Sequence, residues 1–403
     1  MEASFWAQSL VIFMNICVDI RPLMGGKHTG VEIYTLNLLE NLFKLDHKNH
    51  YILFANAEKD QSQYLPYFQQ DNVTTIQTKI PNKILNLSLA LLKRPKLDHL
   101  ILKYLQKHPK KQPKEFDFKR GIDVFLMPDL RPSAVSKSVK KITVVHDLSF
   151  QHFPYFFSRK TRIWYKLLNA KKELENCKNI IAVSHFTKED LIQTYQIPAE
   201  KITVIHEAVS EDFDLNLSPE QIQKVRHKYR LPSEYFLSLS TLEPRKNLAG
   251  LLKAFRQFKE SNPDNRIKLV LAGTQNSKIF SEIELQHTPD VVITGFIDEE
   301  DKAIIYQQAQ AFLYVSFYEG FGLPLLEAMK CQTPTVASWT SAIPEVTGKA
   351  AILVNPYDIN AITEAMMKIL DPETQSKLKR AMETQIKKFS WKKCAQETLK
   401  LFT

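Results

Sequence analysis

The sequence predicts an α/β protein with two parallel sheets, each covered by helices on both faces. Three observations carry this. Apolar strand-like runs alternate with helical patterns: Ile142 to Val145, Ile180 to Val183, Ile202 to Ile205, Lys268 to Ala272 and Ala311 to Val315. Such alternation belongs to parallel sheets with crossover helices. The 403 residues exceed one typical domain and suit two of about two hundred, and a hydrophobic content of 44% can fill two cores. Finally, glycine- or proline-bearing loops follow several strands and open helices, the arrangement found where open α/β sheets bind ligands.

The first strand-like run, Val11 to Val18, leads into Asp19-Ile20-Arg21-Pro22 and then Gly25-Gly26-Lys27-His28-Thr29-Gly30. A helix with apolar positions Ile33, Leu36, Leu39 and Leu42 follows. The loop lacks the full G-x-G-x-x-G spacing, so by itself it assigns no nucleotide. Between Lys79 and Arg120 stand twelve Lys/Arg and three Asp/Glu, nine of the chain's net charge of +10. The same interval carries a dense set of leucines and isoleucines. A basic amphipathic surface suits an anionic membrane; a core-facing helix with a solvated basic rim is the alternative. Nucleic acid is not expected as a partner, because no helix-turn-helix, zinc or RNP pattern accompanies the charge.

After the polar stretch Glu207 to Pro232, which reads as the hinge, the run Tyr235 to Ser240 is followed by Thr241-Leu242-Glu243-Pro244-Arg245-Lys246-Asn247. An amphipathic helix with Leu248, Leu251, Leu252 and Phe255 comes next. Arg245 and Lys246 thus sit at the C-terminal end of a strand. A guanidinium fork beside a lysine suits two linked phosphates; an ordinary solvated charge pair is the plain alternative.

The most informative stretch is Glu319-Gly320-Phe321-Gly322-Leu323-Pro324-Leu325-Leu326-Glu327. It follows the strand-like run Ala311 to Val315, so the order is strand, tight loop, helix. Gly320 and Gly322 permit close backbone approach and positive φ, and Pro324 suits a first helical position. Amides around Phe321 to Leu323 would then lie at a helix N-terminus, where an anion is favoured. Glu319 stays in the loop and Glu327 lies one turn into the helix. The alternative is a loop–helix join whose glutamates only complement the helix dipole.

Cys17, Cys177, Cys331 and Cys394 show no metal-ligand spacing and read as thiols of a reducing compartment. No apolar run is long enough to span a bilayer. The N-terminus carries Glu2 and no basic region ahead of its apolar residues, unlike a secretory signal. A cytoplasmic protein, peripheral on the inner face of the plasma membrane, is expected.

Taken in order, these residues resemble the family-4 retaining glycosyltransferases, over nearly the whole chain. The resemblance includes Gly30-Val31-Glu32, His146-Asp147, the A-V-S-x-x-[ST] segment Ala182 to Thr187, Val204 to Val209, Leu242 to Asn247, Thr294-Gly295-Phe296, the E-x7-E element Glu319/Glu327 and Ile343-Pro344-Glu345-Val346. Bacterial mannosyltransferases of polysaccharide or O-antigen assembly are the most similar members. Two departures stand out: Glu207-Ala208 replaces the usual Asn-Gly pair, and the loop Ala272-Gly273-Thr274-Gln275-Asn276 lacks the common lysine.

The resemblance implies the GT-B fold, two Rossmann-like domains facing across a cleft. An acceptor-binding domain spans 1–210, with 1–13 an upstream extension before Met14. A linker spans 211–232, a nucleotide-sugar-binding domain 233–385, and a closing helix at 386–403 packs back on the first domain. It implies hexose transfer from a nucleotide-diphosphate sugar, GDP-mannose first and a UDP-hexose second, to a glycan or lipid-linked acceptor. No cofactor and no metal are expected. Arg245, Lys246, Glu319 and His146 would form the catalytic set. Gly30, Phe296, Gly320, Phe321, Gly322, Leu323 and Glu327 would hold the donor, with Glu327 on the ribose, Glu319 on the hexose and Phe296 beside the base. A nucleotide-sugar epimerase and a catalytically silent binding subunit are the rival functions.

Overall fold

The computed structural model describes residues 13–25, 30–57, 70–112, 116–210, 213, 217–274 and 289–403. The start of the first expected strand, most of the glycine loop before Gly30, the end of the 272–276 loop and nearly all of the expected extension 1–13 lie outside them.

The strands are β1 (Asn15–Asp19), β2 (His50–Asn56), β3 (Val73–Thr78), β4 (Val124–Met127), β5 (Lys140–Val145), β6 (Asn179–Ala182) and β7 (Ile202–Val204), then β8 (Tyr235–Leu239), β9 (Lys268–Ala272), β10 (Val291–Gly295), β11 (Ala311–Tyr314), β12 (Thr335–Ser338) and β13 (Ile352–Val354). They form two parallel sheets, ordered β3-β2-β1-β4-β5-β6-β7 and β10-β9-β8-β11-β12-β13. In both, the strand order reverses beside the first strand, between β1 and β4 and between β8 and β11. Ligand crevices of open α/β sheets form at such points, beyond the C-terminal ends of the strands. Strands such as β1, β8 and β11 are buried along their whole length, as sheets covered on both faces require.

By compactness the chain divides into two units. One comprises Met1–Val144, Lys166–Ile181 and Ala395–Thr403, the other Val145–Tyr165 and Ala182–Cys394. In the first unit, the helices Asn82–Leu91 and Leu97–Lys107 bury Leu85, Leu89, Leu97, Ile101 and Leu105 against Cys17, Ile52, Phe54 and Phe125. The spacing 97, 101, 105 places one helical face on the core. In the second unit, the interval expected as linker carries the helix Pro219–Tyr229, begun by a capping box between Ser218 and Gln221. Tyr229 at its end donates to Asp301 Oδ2 at 2.8 Å, which fixes the helix on the second unit.

All four cysteines are free and buried. Among the described residues no helix is long and apolar enough to cross a membrane.

Candidate active site

The chain leaves β8 through a short 3-10 turn, Pro244–Lys246, and enters the helix Leu248–Ser261. It leaves β11 through Ser316 to Gly322 and enters the helix Leu323–Lys330. Both loops therefore lie at the reversal point of the second sheet, and their side chains meet. Arg245 Nη1 donates to Glu319 Oε2 at 2.7 Å and to the Tyr318 carbonyl at 2.7 Å. Its Nη2 donates to Glu243 Oε1 at 2.7 Å. Lys246 Nζ donates to Glu319 Oε1 at 2.7 Å and to the Tyr314 hydroxyl at 3.1 Å. Glu319 is buried, with one cation on each oxygen.

Burial alone would raise the Glu319 carboxyl; Arg245 and then Lys246 outweigh it and bring it down to about 2. The group is thus a permanent carboxylate and cannot serve as a proton donor at neutral pH. Burial pulls Lys246 below the ordinary lysine value, with Glu319 opposing and Arg245 adding to the shift. Of this pair the carboxylate is the more firmly charged, since two cations serve it.

The glycine loop is held from several sides. Gly322 has φ +107°, a conformation that side chains oppose, and precedes a helix with proline in its first turn. Gly320 lies against the His146 carbonyl so closely that a β-carbon would approach to 1.6 Å. Its own carbonyl accepts from Ser184 Oγ at 2.6 Å and Thr187 Oγ1 at 3.1 Å. Ser184 also caps the helix His185–Tyr195. The A-V-S-x-x-T segment is therefore a helix start whose two hydroxyls grip the loop. His146 Nδ1 lies 2.9 Å from Glu207 Oε1, and Glu207 is buried.

Glu327, buried in the helix Leu323–Lys330, accepts from Tyr306 at 2.8 Å and from Lys302 Nζ at 3.1 Å. Burial would lower Lys302, but Glu327 and Glu299 raise it above the ordinary lysine value. The carboxylate is thereby pinned from below with lone pairs left to accept.

Residues 28–213 match the family model "Glycosyltransferase Family 4" and residues 220–389 match "Glycosyl transferases group 1". The chain is 30% identical over 387 residues to the O-antigen chain mannosyltransferase B of Escherichia coli, covering 93% of this chain and 96% of that protein. The chain belongs to the family-4 glycosyltransferases. This family-4 glycosyltransferase is a hexosyltransferase with the GT-B architecture of two Rossmann-like sheets. The serotype-specific mannosyltransferase WbdA of Escherichia coli is 33% identical over 274 residues, covering 66% of this chain and 33% of that longer protein. A crystal structure of a glycosyltransferase from Rickettsia africae ESF-5 superposes with a TM-score of 0.68 over 97% of this chain and 98% of that one; at 20% identity the likeness concerns the fold.

Of the residues expected at the site of this glycosyltransferase, Arg245, Lys246 and Glu319 touch directly. Gly320 to Leu323 form the adjoining loop and helix start, and His146 reaches Gly320 through its backbone. Phe321 is buried, its ring 5.6 Å from that of Phe389 and 6.0 Å from that of His206. Phe296 follows edge strand β10 and its side chain is 48% exposed. Gly30 begins the helix Gly30–Leu45 of the first unit, and among the described residues nothing lies within 4 Å of where a β-carbon would be.

The family's pattern brought Glu207 to notice only as a departure; its contact with His146 was not foreseen. Lys302, Tyr306 and Tyr314 carry no motif, and only packing brings them to Glu327 and Lys246. A further group, His185, His206 and Glu345, brings ligand-type atoms within 4.8 Å of one another. Its carboxylate is already engaged, accepting from the amides of His185 at 2.9 Å and Phe186 at 3.2 Å and from His206 Nε2 at 2.6 Å. It serves as a cap on the helix His185–Tyr195.

Proposed function

We propose that this glycosyltransferase moves mannose from GDP-mannose to a glycan or lipid-linked acceptor, with retention of anomeric configuration and without a metal ion. The sugar rests on the likeness to the O-antigen chain mannosyltransferase B of Escherichia coli. The observation that carries the donor assignment is the meeting of Arg245 and Lys246 with the loop Glu319 to Leu323 at the reversal point of the second sheet.

In the reaction the bond between the anomeric carbon and the β-phosphate oxygen breaks, and the electron pair stays on the phosphate. The acceptor hydroxyl oxygen bonds to the same face of the carbon, and its proton passes to the departing phosphate. Arg245, Lys246 and the amides at the start of the helix Leu323–Lys330 would stabilise the phosphate charge as it grows, a preorganised electrostatic role. Glu319, fully ionised, has lone pairs left for hexose hydroxyls. Glu327 suits the ribose hydroxyls. His146, set by Glu207, would lie by the transferred sugar, and the backbone near Phe296 would receive the base. Gly30, at a helix start of the first domain, would complete the donor site.

The domain reading carries over as part of the proposal: acceptor binding in 1–210, a connection in 211–232, donor binding in 233–385 and a closing segment in 386–403. The enzyme would work at the cytoplasmic face of a membrane, touching anionic lipid through the basic interval 79–120.

The test is thermal stabilisation by GDP, UDP, ADP and their sugar conjugates, beside Lys246→Ala and Glu327→Ala. A ligand that binds only the folded state raises its stability by mass action. A shift with GDP and GDP-mannose that both variants lose supports the proposal. A shift with UDP alone points to a UDP-hexose, and no shift with any nucleotide points to a silent subunit. Transfer that proceeds fully in EDTA supports metal independence, and activity lost in EDTA and restored by Mn²⁺ overturns it. NMR of the product showing an inverted anomer would overturn retention.

A further inference from the structure

We propose that the helix Asn82–Leu91 of the first unit docks on an anionic lipid surface through the ridge Ile84, Leu87, Leu91 and Leu92. This deepens the membrane part of the proposed function and rests on that reading only for why the enzyme should meet lipid.

The helix is apolar on opposite sides. Leu85 and Leu89 are buried in the core of the first unit. Ile84, Leu87 and Leu91, spaced three and four residues apart, share the other face, and Leu92 is exposed at the helix end beside Leu91. They are exposed to 62%, 46%, 57% and 70%. Scattered exposed leucines are ordinary, whereas a contiguous ridge marks an interaction surface.

The charge around the ridge selects the occupant. Among the described residues from Lys79 to Gln112, every exposed charged side chain is a lysine or an arginine. Lys83 and Arg94 flank the ridge itself, and Asp98, the acid of this interval, is buried and accepts from the Ser136 amide at 3.0 Å. A second copy of the chain meeting this face through a two-fold axis would set like charges against one another. Single-stranded nucleic acid would want aromatic platforms, and the ridge is aliphatic. Aliphatic side chains at the centre with cations at the rim match the acyl boundary and headgroups of an acidic bilayer.

Place supports the same reading. Asn86, on this helix, accepts from Arg21 Nη1 at 3.4 Å, and Arg21 follows β1. The helix therefore stands beside the reversal point of the first sheet, where a ligand crevice is expected. Docked on lipid, it would bring that crevice to an acceptor still carried on its lipid.

The experiment uses the full chain with vesicles of phosphatidylcholine alone and of phosphatidylcholine mixed with phosphatidylglycerol, read by flotation. Binding to the acidic vesicles, weakened by salt, is expected, with each cation at the surface strengthening it about fivefold. The triple variant Ile84→Ser, Leu87→Ser, Leu91→Ser should bind them about tenfold or more weakly, while its thermal stabilisation by nucleotide diphosphate stays unchanged. In Leu87→Trp the indole emission should shift to the blue on acidic vesicles. Undiminished binding of the triple variant, an unmoved indole, or no binding to either vesicle would overturn the proposal even if nucleotide binding is found. Self-association abolished by the triple variant, without vesicle binding, would assign the ridge to a second copy instead.

Discussion

A β-carbon on Gly320 would lie 1.6 Å from the carbonyl oxygen of His146. The obstacle is backbone, which cannot swing aside as a side chain can, and the Gly320 carbonyl is held in turn by Ser184 and Thr187. Gly320→Ala must therefore displace the loop that carries Glu319. A loss of about 1–3 kcal/mol is expected, together with weaker stabilisation by nucleotide. Urea unfolding with and without GDP checks both, and an unchanged midpoint would show that the loop has room.

Glu319 links folding to pH. Its carboxyl is depressed from 4.5 to about 2 in the folded chain, so its stabilising contribution is present above the unfolded value and is lost as pH falls from about 4.5 toward 2. The depression corresponds to about 3 kcal/mol at neutral pH. Urea midpoints measured from about pH 6 down to about pH 3 should fall less steeply in Glu319→Gln. The variant should also be less stable at pH 7, because Arg245 and Lys246 lose their common partner. Parallel pH curves for the two proteins would remove Glu319 from the account.

Removing either cation separates binding from catalysis. Lys246→Ala is expected to lower kcat by roughly 10²–10³ if it faces the departing phosphate. Since Lys246 also holds Glu319, Glu319→Gln serves as a control for misplacement. A Lys246→Ala enzyme with native kcat and only a raised KM would assign the lysine to ground-state binding.

Lys302→Met removes the lysine paired with the Glu327 carboxylate and leaves Tyr306 as its remaining described donor. Breaking one side of a buried pair costs about 3–5 kcal/mol, so a lower melting temperature is expected. The more telling readout is nucleotide affinity, expected to fall about tenfold if Glu327 must be held in place to meet a ribose. Affinity that survives the lost stability would make the pair purely structural.

Glu207→Gln keeps a side chain of the same length beside His146 but removes its charge. If Glu207 sets the ring, kcat should fall and its pH profile should move, with KM for the donor little changed. A native profile would leave Glu207 as a packing residue.

Much of the second sheet's site was legible in the sequence because its parts are local. The run Ala311 to Val315, the glycine pair and Pro324 announce strand, loop and helix within a few residues, and β11 and the helix Leu323–Lys330 follow them closely. Arg245 and Lys246 were readable for the same reason. What could not be read is long-range. Lys302 reaches Glu327 across 25 positions and Ser184 reaches Gly320 across 136, distances that no periodicity encodes. The basic interval shows both sides of this limit. Leu97, Ile101 and Leu105 turned inward, while Leu87, Leu91 and Leu92 turned outward, and composition alone does not separate the two.

The first unit takes most of its residues from the early part of the chain but is finished by Ala395–Thr403, with Ala395, Thr398 and Phe402 buried. A ribosome adding about 5–20 residues per second reaches that segment roughly ten to forty seconds after it has passed Ile181. Throughout that interval the nascent first unit stands with an unfilled apolar seat. The unit begun first thus waits on a segment made after the second unit, and its window for capture by a chaperone stays open until Ala395–Thr403 emerges.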